Sequence, residues 1–407
     1  MTEPADTARP GPLADIRVFE LADWIAAPFA ASLLADFGAE VVKVELPGVL
    51  SNSRTNGTLE PVDPDRSTNF ATSARNKRSL TLDVRTPSGR ELFLELIRDA
   101  DVLVESFRPG TMERWDLAWE TFEAVNPRLV MLRISGYGQT GPWRDRPGFD
   151  RVAQAFGGLS YVTGTADGPP VRAGLGVADY GTGMLGAFGV MVALHERARS
   201  GRGQQIDLAL YETILAMQGR IAVDYLRDGS VRERSGNAVP GVAPGEVFRT
   251  ADDRWLHISA SGDALWTRLA RVLGRPDLLA DGRFATKVSR SAHSQEINQI
   301  IERWVSARPA EEVQRLLHEA GVACSAIMSI ADVLSHPHVL ARGNVVAAPD
   351  PAFGELGMIE PLPKLSRTPG RIRHTGPRLG QHTEEILSAR LGLAPERIGS
   401  LRRDGIV

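Results

Sequence analysis

A chain of 407 residues exceeds one ordinary compact domain, and with 43% apolar residues it carries material for two hydrophobic cores. Its formal charge of -3 gives no electrostatic pull toward nucleic acid or an anionic membrane surface. The single cysteine, Cys324, excludes an intramolecular disulfide framework and a cysteine metal cluster, and fits a reducing cytoplasm.

Residues 1–12 are polar, carry prolines and read as a loose arm, not a signal peptide. Strand and helix then alternate. Ile16–Leu21 reads as a strand, Pro28–Phe37 as a helix closed by Gly38, Glu40–Leu46 as a Val-rich strand and Ser79–Val84 as another. Thr86-Pro87 opens a helix with a cap and an early proline, and Ser88 with Glu91 offers a capping box. Asp101–Glu105 is a strand, Trp119–Val125 a short helix and Leu129–Ser135 a strand. Such alternation implies a Rossmann-like, mostly parallel α/β sheet, whose ligands gather at the carboxyl ends of the strands.

Asp150–Gly157 and Tyr180–Arg197 read as helices and Gln205–Leu210 as a strand. The longest apolar stretch, about 183–194, is shorter than the ~20 residues that span a bilayer, so a soluble cytoplasmic protein with no membrane partner is expected. Turn-forming residues over 228–245 mark a linker. A hairpin of Val247–Thr250 and Trp255–Ile258 follows, then helices at about 263–273, 293–306 and 309–320, which together make a smaller α+β unit. Residues 343–380 hold many prolines and glycines with little periodicity, and Thr383–Leu391 is a closing helix. The expected division is 1–225 for the first part of a large domain, 226–335 for an inserted small domain and 336–407 for the return to the large one.

Asp179 stands at the head of a glycine-rich apolar stretch running to Leu194. A carboxylate at a helix N-terminus is favoured in its ionised form by the dipole and the free N–H groups, and it suits either a cap or covalent chemistry on an acyl group. Gly136-Tyr137-Gly138-Gln139-Thr140-Gly141 fits the dinucleotide pattern, but Pro142-Trp143-Arg144-Asp145-Arg146-Pro147 follows where a helix should begin, so the match is read as accidental. His336-Pro337-His338 has no supporting carboxylate or histidine cluster and reads as a loop or helix start; no metal is expected. Arg75, Lys77, Arg78, Arg108, Arg114, Arg144 and Arg146 are read as falling in loops after successive strands, where an open sheet places an anionic ligand.

From about Leu13 to Leu391 the chain resembles the family III CoA-transferases, whose fold the α-methylacyl-CoA racemases share. The resemblance rests on Leu33-Leu34-Ala35-Asp36-Phe37-Gly38-Ala39-Glu40-Val41-Val42-Lys43-Val44-Glu45, Asn76-Lys77-Arg78-Ser79, Phe107-Arg108-Pro109-Gly110, the stretch Ser135–Gly141, Gly148-Phe149-Asp150, Ala178–Gly183, Ser200-Gly201-Arg202-Gly203-Gln204 and Gly380-Gln381-His382-Thr383-Glu384-Glu385. It implies an interlocked homodimer and a catalytic aspartate at Asp179. It further implies a CoA site lined by Lys77, Phe107 and Arg114, with Arg108 and Tyr137 near the pantetheine and thioester end. Arg78, Ser135, Gly136, Trp24 and Ile25 complete that set. Coenzyme A and acyl-CoA are then substrates, and no permanently bound cofactor is required. Ile25 and Leu46 replace a glutamine and an arginine of formyl-CoA transferase, and no glycine-only run occurs around 236–246, which disfavours formyl-CoA and oxalate.

Racemisation needs a proton-carrying group on each face of the α-carbon. The racemases place a histidine where this chain has Phe149, and His195 lies about 24 Å from Asp179 along the same predicted helix at 1.5 Å per residue. The pattern therefore favours a CoA-transferase acting on an acyl-CoA and a carboxylic acid. A 2-methylacyl-CoA racemase using Asp150 as second base, or a catalytically silent CoA-binding protein, are the alternatives. Arg172 is a candidate for holding the second carboxylate of a succinyl-like acyl group.

Overall fold

A computed structural model describes residues 11–55, 63 and 65–407; the arm read over residues 1–12 lies outside the described residues as far as residue 10. Two compact units are present. One comprises the described residues within Met1–Leu159 with Arg172–Ser230 and Arg342–Val407, the other Ser160–Val171 with Val231–Ala341. The boundaries at 230 and 341 lie a few residues beyond the expected 225 and 335, and residues 160–171 go with the smaller unit.

The larger unit is built on a six-stranded sheet of β1 (Arg17–Leu21), β2 (Glu40–Glu45), β3 (Lys77–Thr81), β4 (Val102–Glu105), β5 (Val130–Ser135) and β6 (Gln205–Ala209). The spatial order is β3-β2-β1-β4-β5-β6 and every pairing is parallel. The inner strands carry apolar residues on both faces because helices cover both faces. Val18, Val41, Val102, Val104 and Leu132 face one core, which the helices Ala26–Asp36 and Val177–Ser200 complete. Phe19, Val42, Leu103 and Met131 face the other, closed by Phe93 of the helix Pro87–Ile97 and by Ile386, Leu387 and Leu401 of the C-terminal return. Each fully buried aliphatic side chain contributes about 1.5–3 kcal/mol.

Thr86 caps the helix Pro87–Ile97 through the Gly89 N–H, so the capping box expected of Ser88 and Glu91 is not the one used. The helix Val177–Ser200 packs against Ala26–Asp36 at Gly183, where a Cβ would stand 2.7 Å from the Ala26 carbonyl oxygen. At 24 residues, with an 18-residue stretch of mean hydropathy 1.4, it is long and apolar enough to cross a membrane, longer than the apolar stretch read from sequence. One face of it, however, is built into the core of the sheet through Val190, Ala193 and Leu194.

The C-terminal segment is more ordered than its composition implies. β10 (Val345–Asp350) and β11 (Gly354–Ile359) form an antiparallel hairpin, and Pro395–Arg403 adds a last helix. Two histidines tie this segment down. His382 Nδ1 accepts the Ser79 N–H at 3.1 Å, and His374 Nδ1 accepts the Gly376 N–H at 3.2 Å, roles that require an unprotonated nitrogen. Burial, then neighbouring positive charge, lowers both, His374 to about 4. Their contribution is therefore complete above the ordinary histidine value and is lost as pH falls toward 4. Thermal unfolding scans across that window should show a falling midpoint, and His374→Asn should flatten the fall.

In the smaller unit β7 (Gly245–Arg249), β8 (Trp255–Ser259) and β9 (Ala323–Ala326) form an antiparallel sheet. The expected hairpin is present, with Asp253 in the left-handed region (φ 60°) at its turn. Trp266, Leu269, Phe284, Ile297, Ile301 and Val313 fill the core beneath it.

Candidate active site at the carboxyl end of the sheet

The strand order is that of a doubly wound dinucleotide fold, in which the chain reverses direction between β1 and β4. A crevice opens there, outside the strand carboxyl ends. It has a volume of about 400 Å³ and is lined by Asp23 and Trp24 after β1, by Ser106, Phe107 and Arg108 after β4, and by Ser135 and Gly136 at the end of β5. Arg144, Arg146 and Phe149 from the following loop and Asp179 complete the wall.

Several wall residues are held from behind. Asp23 accepts hydrogen bonds from the N–H groups of Trp24, Asn52 and Ser53 and from the Asn52 side chain. Burial opposes its charge, but these bonds hold its carboxyl below the ordinary value. They fix Trp24 in the left-handed region at φ 65°, a conformation that costs a bulky residue of order 1–3 kcal/mol. The exposed Trp24 ring meets Phe149 edge-on at 5.5 Å, so strain is spent to place an aromatic wall at the cleft. The Phe107 N–H donates to Glu105, which Arg133 holds at 2.7 Å. Burial, only partly offset by Arg133, raises the Glu105 carboxyl to about 7.

The glycine-rich loop leads into no helix before Asp150; Gly138 and Gly141 take positive φ, and Gly136 packs so closely on Gly148 that a Cβ would stand 2.6 Å from its Cα. Gly138 N–H donates to Ser135 Oγ and Gln139 N–H to Asp207, which anchors the loop.

Asp179 lies in the first turn of the helix Val177–Ser200, whose cap is Gly176. Asp179 is thus not the cap. No described group hydrogen-bonds its carboxylate. The amides of Ala178 and Asp179 instead donate to Asp150 Oδ1, at 2.8 and 3.2 Å. Burial, reinforced by the Asp150 charge, raises the Asp179 carboxyl to about 7. This reverses the expectation that the helix end favours its ionised form, because another carboxylate already occupies that position.

The cleft thus brings Asp179 together with Trp24, Phe107, Arg108, Ser135 and Gly136. Other residues of the expected set stand elsewhere. Lys77 is 0% exposed and its ammonium donates to Glu20 at 2.5 Å and to the Pro28 carbonyl, so its charge is spent inside the sheet. Arg78 pairs with Glu40 and Glu385 on β3, and Arg75 with Asp36. Arg114 is exposed and bonds Thr111 on a short helix away from the lining. Ile25 precedes the helix Ala26–Asp36 and is not among the lining residues. Tyr137 lies behind the loop in an aromatic cluster with Trp143, Phe156 and Tyr211; Arg146 stacks on Trp143 of that cluster at 3.8 Å. Arg172 is exposed and bonds the Ala173 carbonyl, so the cleft arginines are Arg108, Arg144 and Arg146.

Residues 13–383 match the sequence profile described as CoA-transferase family III. The chain is 42% identical to succinyl-CoA–D-citramalate CoA-transferase of Chloroflexus aurantiacus, over 98% of this chain and 98% of that one. It is 44% identical to the beta subunit of succinyl-CoA–L-malate CoA-transferase of the same organism, over 97% and 98%. Among solved structures, a CAIB/BAIF family protein from Brucella suis superposes with a TM-score of 0.82 at 33% identity, over 94% of this chain and 100% of that one.

Proposed function

Because this chain belongs to CoA-transferase family III, we propose that it carries CoA from a succinyl-CoA-type donor to a carboxylic acid with Asp179 as the covalent relay. The observation that carries the reading is a carboxylate at the switch-point crevice with no hydrogen-bond partner among the described residues. An Asp179 oxygen attacks the thioester carbonyl; the C–S bond breaks and CoA leaves as thiolate, giving a mixed anhydride. The thiolate attacks the Asp179 carbonyl carbon of that anhydride and expels the donor carboxylate, leaving an aspartyl-CoA thioester. The acceptor carboxylate displaces the thiolate to form a second anhydride. The thiolate then attacks the acceptor's acyl carbon, and Asp179 leaves as carboxylate. No proton is gained or lost overall, and one hard exchange becomes several easier ones.

All three intermediates are hydrolysable, so water must be kept from them. The anchored loop 135–141 and the Trp24–Phe149 wall serve that purpose. Arg108, Arg144 and Arg146 supply charge for the CoA phosphates or for the free carboxylate of a dicarboxylic acyl group. A racemase would need a second proton carrier. Phe149 cannot be one, and the Asp150 oxygens are engaged by two helix amides and by Gln154. An exposed stripe on the long helix, Met184 (57%), Phe188 (64%) and Val192 (52%), supports assembly as a homodimer, interlocked as its family resemblance implies.

Incubation with succinyl-CoA and hydroxylamine, followed by peptide mass spectrometry, should show Asp179 as its hydroxamate. A panel of acyl-CoA donors and acids should show CoA exchange. An active sample with unmodified Asp179 overturns the mechanism. CoA binding without exchange identifies a silent binder, and solvent deuterium at the α-carbon of a 2-methylacyl-CoA identifies a racemase.

A further inference from the structure

We propose that Asp150 is a positioning residue for Asp179: by taking the amide protons of Ala178 and Asp179, it keeps the Asp179 carboxylate off its own helix end and turned to the cleft. This rests on the reading of Asp179 as nucleophile. The helix Val177–Ser200 begins at a glycine with no side-chain cap, so its first amides need an acceptor from elsewhere. An acid in the first turn of a helix stands within reach of its free amides and of the positive end of its dipole. Asp179 holds that place. An acid bonded there points along the helix and loses basicity to the dipole, both of which weaken it as a nucleophile.

Asp150 removes that option. It stands at the start of the helix Asp150–Phe156, and its Oδ1 accepts both amides. Its Oδ2 accepts the Gln154 amide at 2.6 Å. Gln154 is fully buried and does more than brace Asp150: it also donates to the Leu175 carbonyl and accepts the Ala173 N–H. Two side chains on one helical turn therefore fix the segment from Ala173 to Asp179 at four backbone points, and their remaining bond joins them to each other. The other charged or titratable groups around Asp179 are Asp23, Arg108, Arg144 and Arg146 in the cleft, Tyr180 beside it and Arg75 next to Tyr180. Among the described residues Asp150 alone bonds the amides.

The test compares Asp150→Ala with Asp150→Asn in steady-state CoA exchange. Asp150→Ala frees the amides; kcat should fall on the order of 10²-fold, as misplaced reacting groups do, with KM for acyl-CoA nearly unchanged. The acid limb of kcat/KM should also move to lower pH, and further than in Asp150→Asn, which loses the same charge but keeps the amides occupied. Asp150→Asn keeps an oxygen on the amides and should retain kcat within about tenfold of wild type. Wild-type kcat and an unmoved acid limb in Asp150→Ala overturn the proposal. Should that variant fail to fold, Gln154→Leu, which leaves Asp150 in place but unheld, should shift kcat and the limb the same way, and no shift there overturns it equally. Hydroxylamine trapping separates the two levels: Asp179 trapped while Asp150 proves indifferent removes only the positioning role, whereas an untrapped Asp179 in active wild type removes the reading beneath it.

Discussion

Asp179→Asn is expected to cut CoA exchange by on the order of 10⁴-fold or more, because the reaction loses the atom that carries the acyl group and not merely a stabilising contact. The wild-type pH profile should carry the signature of the same group. Burial and Asp150 raise its carboxyl to about 7, and only the ionised form attacks, so kcat/KM should fall below that pH and level off above it. The raised value also has a consequence for stability. An acid whose folded pKa exceeds its unfolded one contributes stability that is complete below the unfolded value, near 3.9, and is lost as pH rises through about 7. At pH 8 the native enzyme carries the cost of a poorly solvated carboxylate, which asparagine does not. The dead variant should therefore unfold at a higher temperature than wild type at pH 8, with the advantage shrinking toward pH 4. A variant that is inactive and less stable at pH 8 would point to a structural aspartate instead.

The two cores were legible because their physics is local. Strands buried on both faces are rich in Val, Leu and Ile, and β2, β4 and β5 appear where such runs lead into glycine or proline turns. Elements that carry few buried residues were not legible. Leu210–Gln218 and Arg220–Asp228 are short helices broken at Gly219, which takes φ 46°, and the second has no buried residue. Pro395–Arg403 buries only Ile398 and Leu401. β10 and β11 are built largely from alanine, glycine and residues of mixed exposure, so no period stands out. At the site, the resemblance pointed to Asp179, but its surroundings depend on Asp150 and Gln154, which come from another helix. The ionisation expected from the helix end alone was therefore reversed. Nor does spacing reveal a left-handed Trp24, which a network anchored on Asp23 imposes.

Lys77 is the clearest case of a charge misread from local context, and it leads to the second large effect. Between Asn76 and Arg78 it looks like part of a basic loop, but β3 begins at Lys77, and its ammonium reaches Glu20 on β1. Glu20 also takes Lys43 of β2 at 2.9 Å, so one fully buried carboxylate serves two fully buried ammonium groups. Burial lowers Lys77 to about 8 even with Glu20 beside it; for Lys43, burial is outweighed by Glu20 and Glu45, which raise it. The trio is therefore asymmetric. Glu20→Ala strands two buried cations and is expected to cost at least the 3–5 kcal/mol typical of breaking one buried pair, a large part of a domain's 5–15 kcal/mol. Lys77→Met removes a cation that burial already disfavours and leaves Glu20 with Lys43, so its cost should be much smaller. Denaturant unfolding should rank the two variants in that order. Acyl-CoA KM provides the control: a side chain enclosed in the sheet cannot touch the cofactor, so Lys77→Met should bind acyl-CoA like wild type. A several-fold rise in KM without loss of stability would return Lys77 to the CoA site and remove the structural role argued for it here.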